Sequence, residues 1–174
     1  MPTDDQAPVQ IVSYDPSWPS LFDQERDLLE RTIASWLTGP IEHIGSTAVP
    51  GLVAKPVIDI MAPVESLAAS RQAISVLARS AYYYYPYRSD TEHWFCKPSP
   101  VYRTHHLHLI PSGGQAWTDA LVFRDYLRGD PEIAAEYAAL KQRLAKQYQF
   151  DREAYTEAKF PFIQRVLRLA ARNV

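Results

Sequence analysis

The chain predicts an α+β fold, a mixed β-sheet packed with helices and closed by a helical C-terminal third. Three observations predict it. Short apolar or alternating runs bounded by Gly and Pro recur from residue 41 to residue 110, as strands do. Helical spacing of apolar residues appears between those runs only around residues 18–37 and 66–80. After Pro111-Ser112-Gly113-Gly114 the pattern turns helical and stays so.

The elements follow in order. Residues 1–7 read as a loose tail, and Val9 to Tyr14 as a short strand ended by Asp15-Pro16. Ser17 is placed to cap a helix with Pro19 in its first turn. Trp18, Leu21, Phe22, Leu28, Leu29, Ile33, Trp36 and Leu37 make that helix amphipathic, and Gly39-Pro40 stops it. Ile41–Ile44 reads as a strand, 45–56 as a loop, Val57–Val64 as a buried strand and 66–80 as a second helix. The run Ala-Tyr-Tyr-Tyr-Tyr-Pro-Tyr at 81–87 is extended, and Pro86 limits it to an edge or a strand end. His93–Lys97 and Arg103–Ile110 complete the strands. Residues 115–128, 131–148 and 152–172 are helical in pattern, broken at Gly129-Asp130-Pro131 and Phe150-Asp151. The 174 residues suit one domain, 1–174, with a sheet core at about 8–112 and a helical part at about 113–172.

Bulk composition narrows the function. A hydrophobic share of 47% supports a real core, and a net charge of −2 argues against binding long nucleic acid, which needs a clustered basic excess. The single cysteine, Cys96, excludes an internal disulfide and a multi-cysteine zinc site, and reads as a small buried hydrophobe. No signal peptide and no membrane-spanning run are read from the sequence, so a soluble cytoplasmic protein is expected.

The chemistry concentrates in His43 to Pro63. Gly45 lets backbone approach a ligand, and Ser46 and Thr47 with their N–H groups suit phosphate oxygens; an ordinary turn is the alternative. Asp59 interrupts the apolar run Val57, Ile58, Ile60, Met61, where an isolated carboxylate costs several kcal/mol unless compensated. A divalent metal would compensate it, as would pairing with Lys55 or Arg103. His106 and His108 share one face of their strand, whereas His105 faces the other. With Asp59 they suit a two-His-one-carboxylate metal site, phosphate binding or proton transfer, or else a hydrogen-bonded pair within the sheet. Lys55, Lys97, Arg103, Arg124 and Lys159 sit in apolar or aromatic surroundings, as counter-charges for an anionic substrate do. Lys55 and Arg103 lead that group. Arg124, Asp125 and Arg128 also suit plain pairing along a helix surface.

Read together, these segments resemble the GrpB-like (UPF0157) family of bacterial proteins. The resemblance rests on His43-Ile-Gly-Ser-Thr-Ala-Val-Pro50 and Lys55-Pro-Val-Ile-Asp59, with Tyr14-Asp-Pro-Ser-Trp-Pro19, His105-His-Leu-His108, Phe123-Arg-Asp-Tyr-Leu-Arg128 and the region from Tyr148 to Lys159. It runs from about residue 9 to 170. The resemblance implies the nucleotidyltransferase fold, in which a Gly-Ser loop holds a triphosphate and strand carboxylates hold metal. Carried over, Gly45 and Ser46 match the loop and Asp59 the first carboxylate. Met61 stands at the second carboxylate position and His106 and His108 on the third carboxylate strand. Two-metal chemistry is therefore not expected in its usual form. Some relatives carry the same segment behind a dephospho-CoA kinase domain, which points to nucleotide or coenzyme metabolism.

The resemblance implies transfer of a nucleotidyl group from a nucleoside triphosphate to a small acceptor. Asp59, His106 and His108 are then the catalytic and metal-binding residues. Gly45, Ser46, Thr47, Lys55, Arg103, Arg124 and Lys159 contact the nucleotide. The cofactor is a divalent metal, Mg²⁺ or Mn²⁺, with Zn²⁺ as the alternative. The partner is a nucleoside triphosphate or another phosphorylated small molecule, with no membrane. Two other readings stand beside this one: a non-catalytic nucleotide- or metal-binding module, and a metal-dependent hydrolase or isomerase using Asp59, His106 and His108.

Overall fold

The structure, a computed structural model, describes residues 7–86 and 88–172. The expected tail at 1–6 and Tyr87 of the aromatic run lie outside the described residues. The strands are β1 (Glu42–Ile44), β2 (Ile58–Val64), β3 (Tyr83–Tyr85), β4 (His93–Pro98) and β5 (Arg103–Pro111). The helices are α1 (Trp18–Ile33), α2 (Ala73–Ala78), α3 (Gln115–Gly129), α4 (Pro131–Gln147), α5 (Arg152–Glu157) and α6 (Phe160–Arg172). The mixed α+β architecture agrees with the expectation.

The sheet order is β1-β2-β5-β4-β3, and only the β2–β5 pair is parallel. Alternation along each strand sorts side chains onto two faces. One face carries Ile58, Ile60, Ala62, Val64, Phe95, Leu107 and Leu109, and these pack with Phe22, Leu29, Ile33 and Leu77 of α1 and α2 into the main core. The other face carries Asp59 and Met61 opposite His106 and His108, and Trp94 opposite His108. Because β2 and β5 are parallel neighbours, residues 47 positions apart in sequence become side-by-side partners, Asp59 with His106.

The helical third covers part of that second face. Arg124 on α3 donates to Glu42 Oε2 at 2.6 Å and to the His43 carbonyl at 3.1 Å, and Arg128 donates to the Ala48 carbonyl at 2.9 Å. These bonds pin α3 to β1 and to the loop after it. A second apolar cluster, Val49, Leu52, Leu127 and Tyr137, fills the space between that loop and helices α3 and α4.

Four expected elements are corrected. Val9–Tyr14 forms no strand: Val9 N–H bonds the Gln149 carbonyl at 2.7 Å, and only Val12 bridges to Ala54, so its polar groups go to two different partners instead of one ladder. Ser17 makes no side-chain cap; the Asp15 carboxylate accepts from the Ser17 N–H at 2.8 Å. The first α-helix also ends at Ile33, and Ala34–Trp36 tighten into a 3₁₀ turn well before Gly39. The helix expected over 66–80 shrinks to Ala73–Ala78, because Ser66 and Ser70 spend their hydroxyls on nearby backbone and hold 66–72 in turns. The helix expected over 152–172 is two helices, α5 and α6, split at Ala158-Lys159. Pro161 has no N–H to continue a helical ladder from α5.

Leu107 sits fully buried on the central strand β5, between β2 and β4. Leu107→Ala is expected to lower stability by about 2–5 kcal/mol, read as a lower urea midpoint with an unchanged slope.

Candidate functional site

The second face of the sheet opens into a cleft of about 520 Å³. Its floor is Asp59, His106 and His108, and its walls include Ser46, Thr47, Lys55 and Arg103 from the sheet and its loops. The C-terminal helices add Lys141, Arg152, Tyr155 and Lys159. Six cationic side chains line it (Lys55, Arg88, Arg103, Lys141, Arg152 and Lys159) against three carboxylates (Asp59, Glu92 and Glu153). An overall acidic chain therefore concentrates positive charge in one concavity, which draws anions in.

Asp59 is held from two sides. Its Oδ1 lies 2.9 Å from His106 Nδ1. On the other side Gly45 adopts φ 72°, and a Cβ at that position would lie 2.5 Å from Asp59 Oδ2. Glycine is thus required at residue 45 both by backbone conformation and by space. Burial acts to raise the Asp59 pKa, but the His106 hydrogen bond and the neighbouring positive charges, Lys55 among them, outweigh it and hold the carboxyl at about 2.

The two histidines on this face are driven apart. Burial lowers the His106 pKa more than its bond to Asp59 raises it, so His106 is neutral near pH 7. With Nδ1–H donated to Asp59, Nε2 carries the lone pair, and that atom is buried with no hydrogen-bond partner. Burial also acts to lower His108, but its 2.5 Å bond to the buried Glu92 carboxylate prevails and raises its pKa. Adjacent groups pushed in opposite directions supply a base and an acid at one pH.

The lysines carry the opposite perturbation. Lys141 is 2% exposed and donates to Ser46 Oγ at 2.8 Å and to the Val53 carbonyl. Burial and the charge of Lys159 lower its pKa to about 7, and burial and Lys55 lower Lys159 to about 8. Lys55 and Lys159 both lie over the Tyr155 ring, at 5.3 and 4.6 Å from its centroid, so the buried ring holds two cations toward the cleft.

Of the residues expected at the site, Asp59, His106, His108, Ser46, Thr47, Lys55, Arg103 and Lys159 line the cleft, and Gly45 backs it against Asp59. Thr47 turns its hydroxyl to His43 Nε2 at 2.9 Å and the Val57 carbonyl at 3.3 Å, which fixes the loop. Arg124 is corrected: it lies outside the cleft lining and is paired with Glu42 and Asp125. Lys97 is on the opposite face, bonded to Glu25 at 2.8 Å beside His105 and Tyr82. The three-ligand metal set is also corrected. His106 and His108 turn their Nδ1 atoms to different carboxylates, and Met61 is fully buried. Among the described residues no group of three or more His, Cys, Asp or Glu is arranged to hold a metal ion. Lys141, Glu92, Arg152 and Tyr155 escaped the sequence reading. Lys141 lies on the apolar stripe of α4 with Tyr137, Leu144 and Ala145, and a lysine in such a stripe was the available signal.

Fold and cleft together define an α+β protein whose mixed sheet presents a cation-lined pocket on the face its C-terminal helices partly cover. The chain belongs to the GrpB family, whose model, GrpB protein, matches residues 8–169. It is 37% identical to the glutamate-rich protein GrpB of Alkalihalophilus pseudofirmus, over 91% of this chain and 94% of that protein. It is 30% identical to a dephospho-CoA kinase of Mycolicibacterium paratuberculosis, over 95% of this chain but 46% of that protein. The crystal structure of conserved protein GrpB from Enterococcus faecalis superposes with a TM-score of 0.84 at 31% identity, over 94% of this chain and 98% of that one. The structure of the GLD-2/RNP-8 complex gives 0.59 at 13% identity, over 87% of this chain and 60% of that one, a likeness of fold alone. Among the described residues no helix is long and apolar enough to cross a membrane.

Gly45→Ala is expected to destabilise the fold by about 1–3 kcal/mol. Adding Asp59→Ala removes the carboxylate contact but leaves the 3.2 Å Cβ contact and the backbone strain, so chemical unfolding of the double variant should show less than the sum of the two single losses.

Proposed function

We propose that this GrpB-family chain is a nucleotidyltransferase that moves a nucleotidyl group from a nucleoside triphosphate to a small acceptor. The observation that carries this reading is the Asp59–His106 pair on the floor of a cleft lined by six cations. Lys55, Lys141 and Lys159, with the Ser46 hydroxyl, face the phosphate chain and neutralise it. His106 Nε2, closed to solvent in the free cleft, is uncovered by the acceptor and takes its hydroxyl proton, and Asp59 holds the ring in the tautomer that permits this. The His108 imidazolium, anchored by Glu92, supports the negative charge that develops on the transferred phosphorus oxygens. The resemblance of the Gly45-Ser46 loop and the Asp59 strand to the nucleotidyltransferase pattern supports this assignment.

Divalent metal is assigned no step here, because His106 spends Nδ1 on Asp59 while His108 turns to Glu92, and no three such ligands gather among the described residues. That geometry also disfavours the metal-dependent hydrolase or isomerase. The buried Met61 at the second carboxylate position favours one rival, a module that binds nucleotide without turning it over.

Pyrophosphate release from a panel of nucleoside triphosphates and hydroxyl acceptors decides between them. Asp59→Asn and His106→Gln are each expected to lower kcat by about 10²–10⁴-fold while changing triphosphate Kd less than about twofold. Triphosphate binding without pyrophosphate release from any acceptor selects the binding module. No triphosphate binding at all removes both.

Triphosphate affinity should depend on pH in a stated direction. Lys141 and Lys159, held at about 7 and about 8, lose their charge as pH rises through those values. A polyanion binds the charged amines, so affinity is greatest below about pH 7 and falls towards pH 9. Binding at pH 8 takes up protons. Calorimetry in buffers of different ionisation enthalpy measures that uptake, and Lys141→Met should reduce it.

A further inference from the structure

The cleft has a second end that the phosphate-chain reading leaves unused. There the β4–β5 hairpin loop, residues 99–102, is pinned by Ser99, whose hydroxyl bonds both the carbonyl and the N–H of Tyr102. The loop aims two consecutive carbonyls at two guanidinium groups. Pro100 O accepts from Arg103 Nε at 2.8 Å, and Val101 O accepts from Arg152 Nη2 at 3.0 Å. One arginine comes from the start of β5 and the other from α5, 49 positions later in the sequence.

Neither arginine forms an ion pair with a carboxylate among the described residues; their partners are neutral carbonyls and aromatic rings. Arg152 Nη1 is buried and bonded to nothing. The two charges repel: burial and the neighbouring Arg103 both lower the Arg152 pKa. Arg103 lies over the rings of Trp94 and Tyr85, at 5.2 and 5.9 Å from their centroids, which fixes its guanidinium plane. Two positioned guanidiniums with spare donors, repelling one another beside an aromatic wall, are unfavourable unless an anion comes between them. A dianion suits the pair better than a monoanion, because it compensates both charges.

We propose that Arg103 and Arg152 form a second anion site, beside Lys55 in the same cleft, that holds a phosphate monoester dianion. Resting on the nucleotidyltransferase reading, this makes the acceptor a phosphorylated small molecule with a flat or apolar part seated against Trp94, Tyr85 and the exposed Tyr102. It also gives the acceptor hydroxyl a fixed place near His106, since the Trp94 ring packs at a tilt against the His106 ring, 4.9 Å between centroids.

Calorimetry with two probes, tripolyphosphate and inorganic phosphate, tests the site. Protein saturated with tripolyphosphate is expected still to bind inorganic phosphate. Arg152→Gln should weaken phosphate about tenfold or more and tripolyphosphate less than about twofold, and Lys141→Met should do the reverse. Acetate, a monoanion, should bind at least about tenfold more weakly than phosphate. Mutual exclusion of the two probes, absence of phosphate binding, equal binding of acetate, or an unchanged phosphate affinity in Arg152→Gln each overturns the proposal. The competition arm uses the unaltered chain and decides the matter where the variant fails to fold. Arg152-dependent phosphate binding without tripolyphosphate binding overturns the nucleotidyl reading and leaves this site standing.

Discussion

The close approach of Asp59 to the Gly45 backbone is the constraint on which the rest of the site depends. It is possible only because residue 45 has no side chain and accepts a positive φ. That approach brings the loop down onto β2, directs the carboxylate toward β5, and so gives His106 a fixed tautomer. The same loop then presents Ser46 to Lys141 and Thr47 to His43. Arg124 and Arg128 hold it from the helical side through backbone carbonyls, which are better placed than side chains to fix a segment this short.

Around that anchor the protein accepts electrostatic strain. Three lysines are gathered where burial and neighbouring cations, Arg152 and Arg103 in the case of Lys55, lower their pKa values. Only part of this is relieved internally: Asp59 attracts them, the Tyr155 ring faces two of them, and Ser46 and Val53 accept from the third. Such surroundings contribute nothing to folding that an apolar residue would not contribute better. Their persistence on one cleft wall is what the proposed anion binding would account for.

Much of this was legible in the sequence, and the boundary has physical causes. Strand parity alone assigned His106 and His108 to one face and sent His105 to the other, because side chains alternate strictly along a strand; that Asp59 shares their face follows from the β2–β5 register. The Gly-Ser loop and the buried carboxylate were legible because each breaks a local rule. What could not be read was pairing between distant segments. Arg124 looked like a substrate contact, but β1 happened to bring Glu42 opposite it. The metal triad failed for a similar reason: Glu92, far from either histidine's motif, takes the Nδ1 of His108. Lys141 and Arg152 were hidden among ordinary helical charges, since periodicity shows which face a residue occupies but not what that face meets. Two helix boundaries were misjudged where serine hydroxyls or a proline decided the local backbone.

The cleft draws its walls from residues as far apart as Val9 and Lys159. A ribosome-bound chain that has extruded only the five strands would therefore own Lys55 and the dyad of Asp59 and His106 but lack Lys141, Lys159 and the Arg152 guanidinium. Such a precursor can fold its apolar layer first, through α1 and α2, while its cleft is still open on one side. The full set of cations is brought together only when the last helices dock.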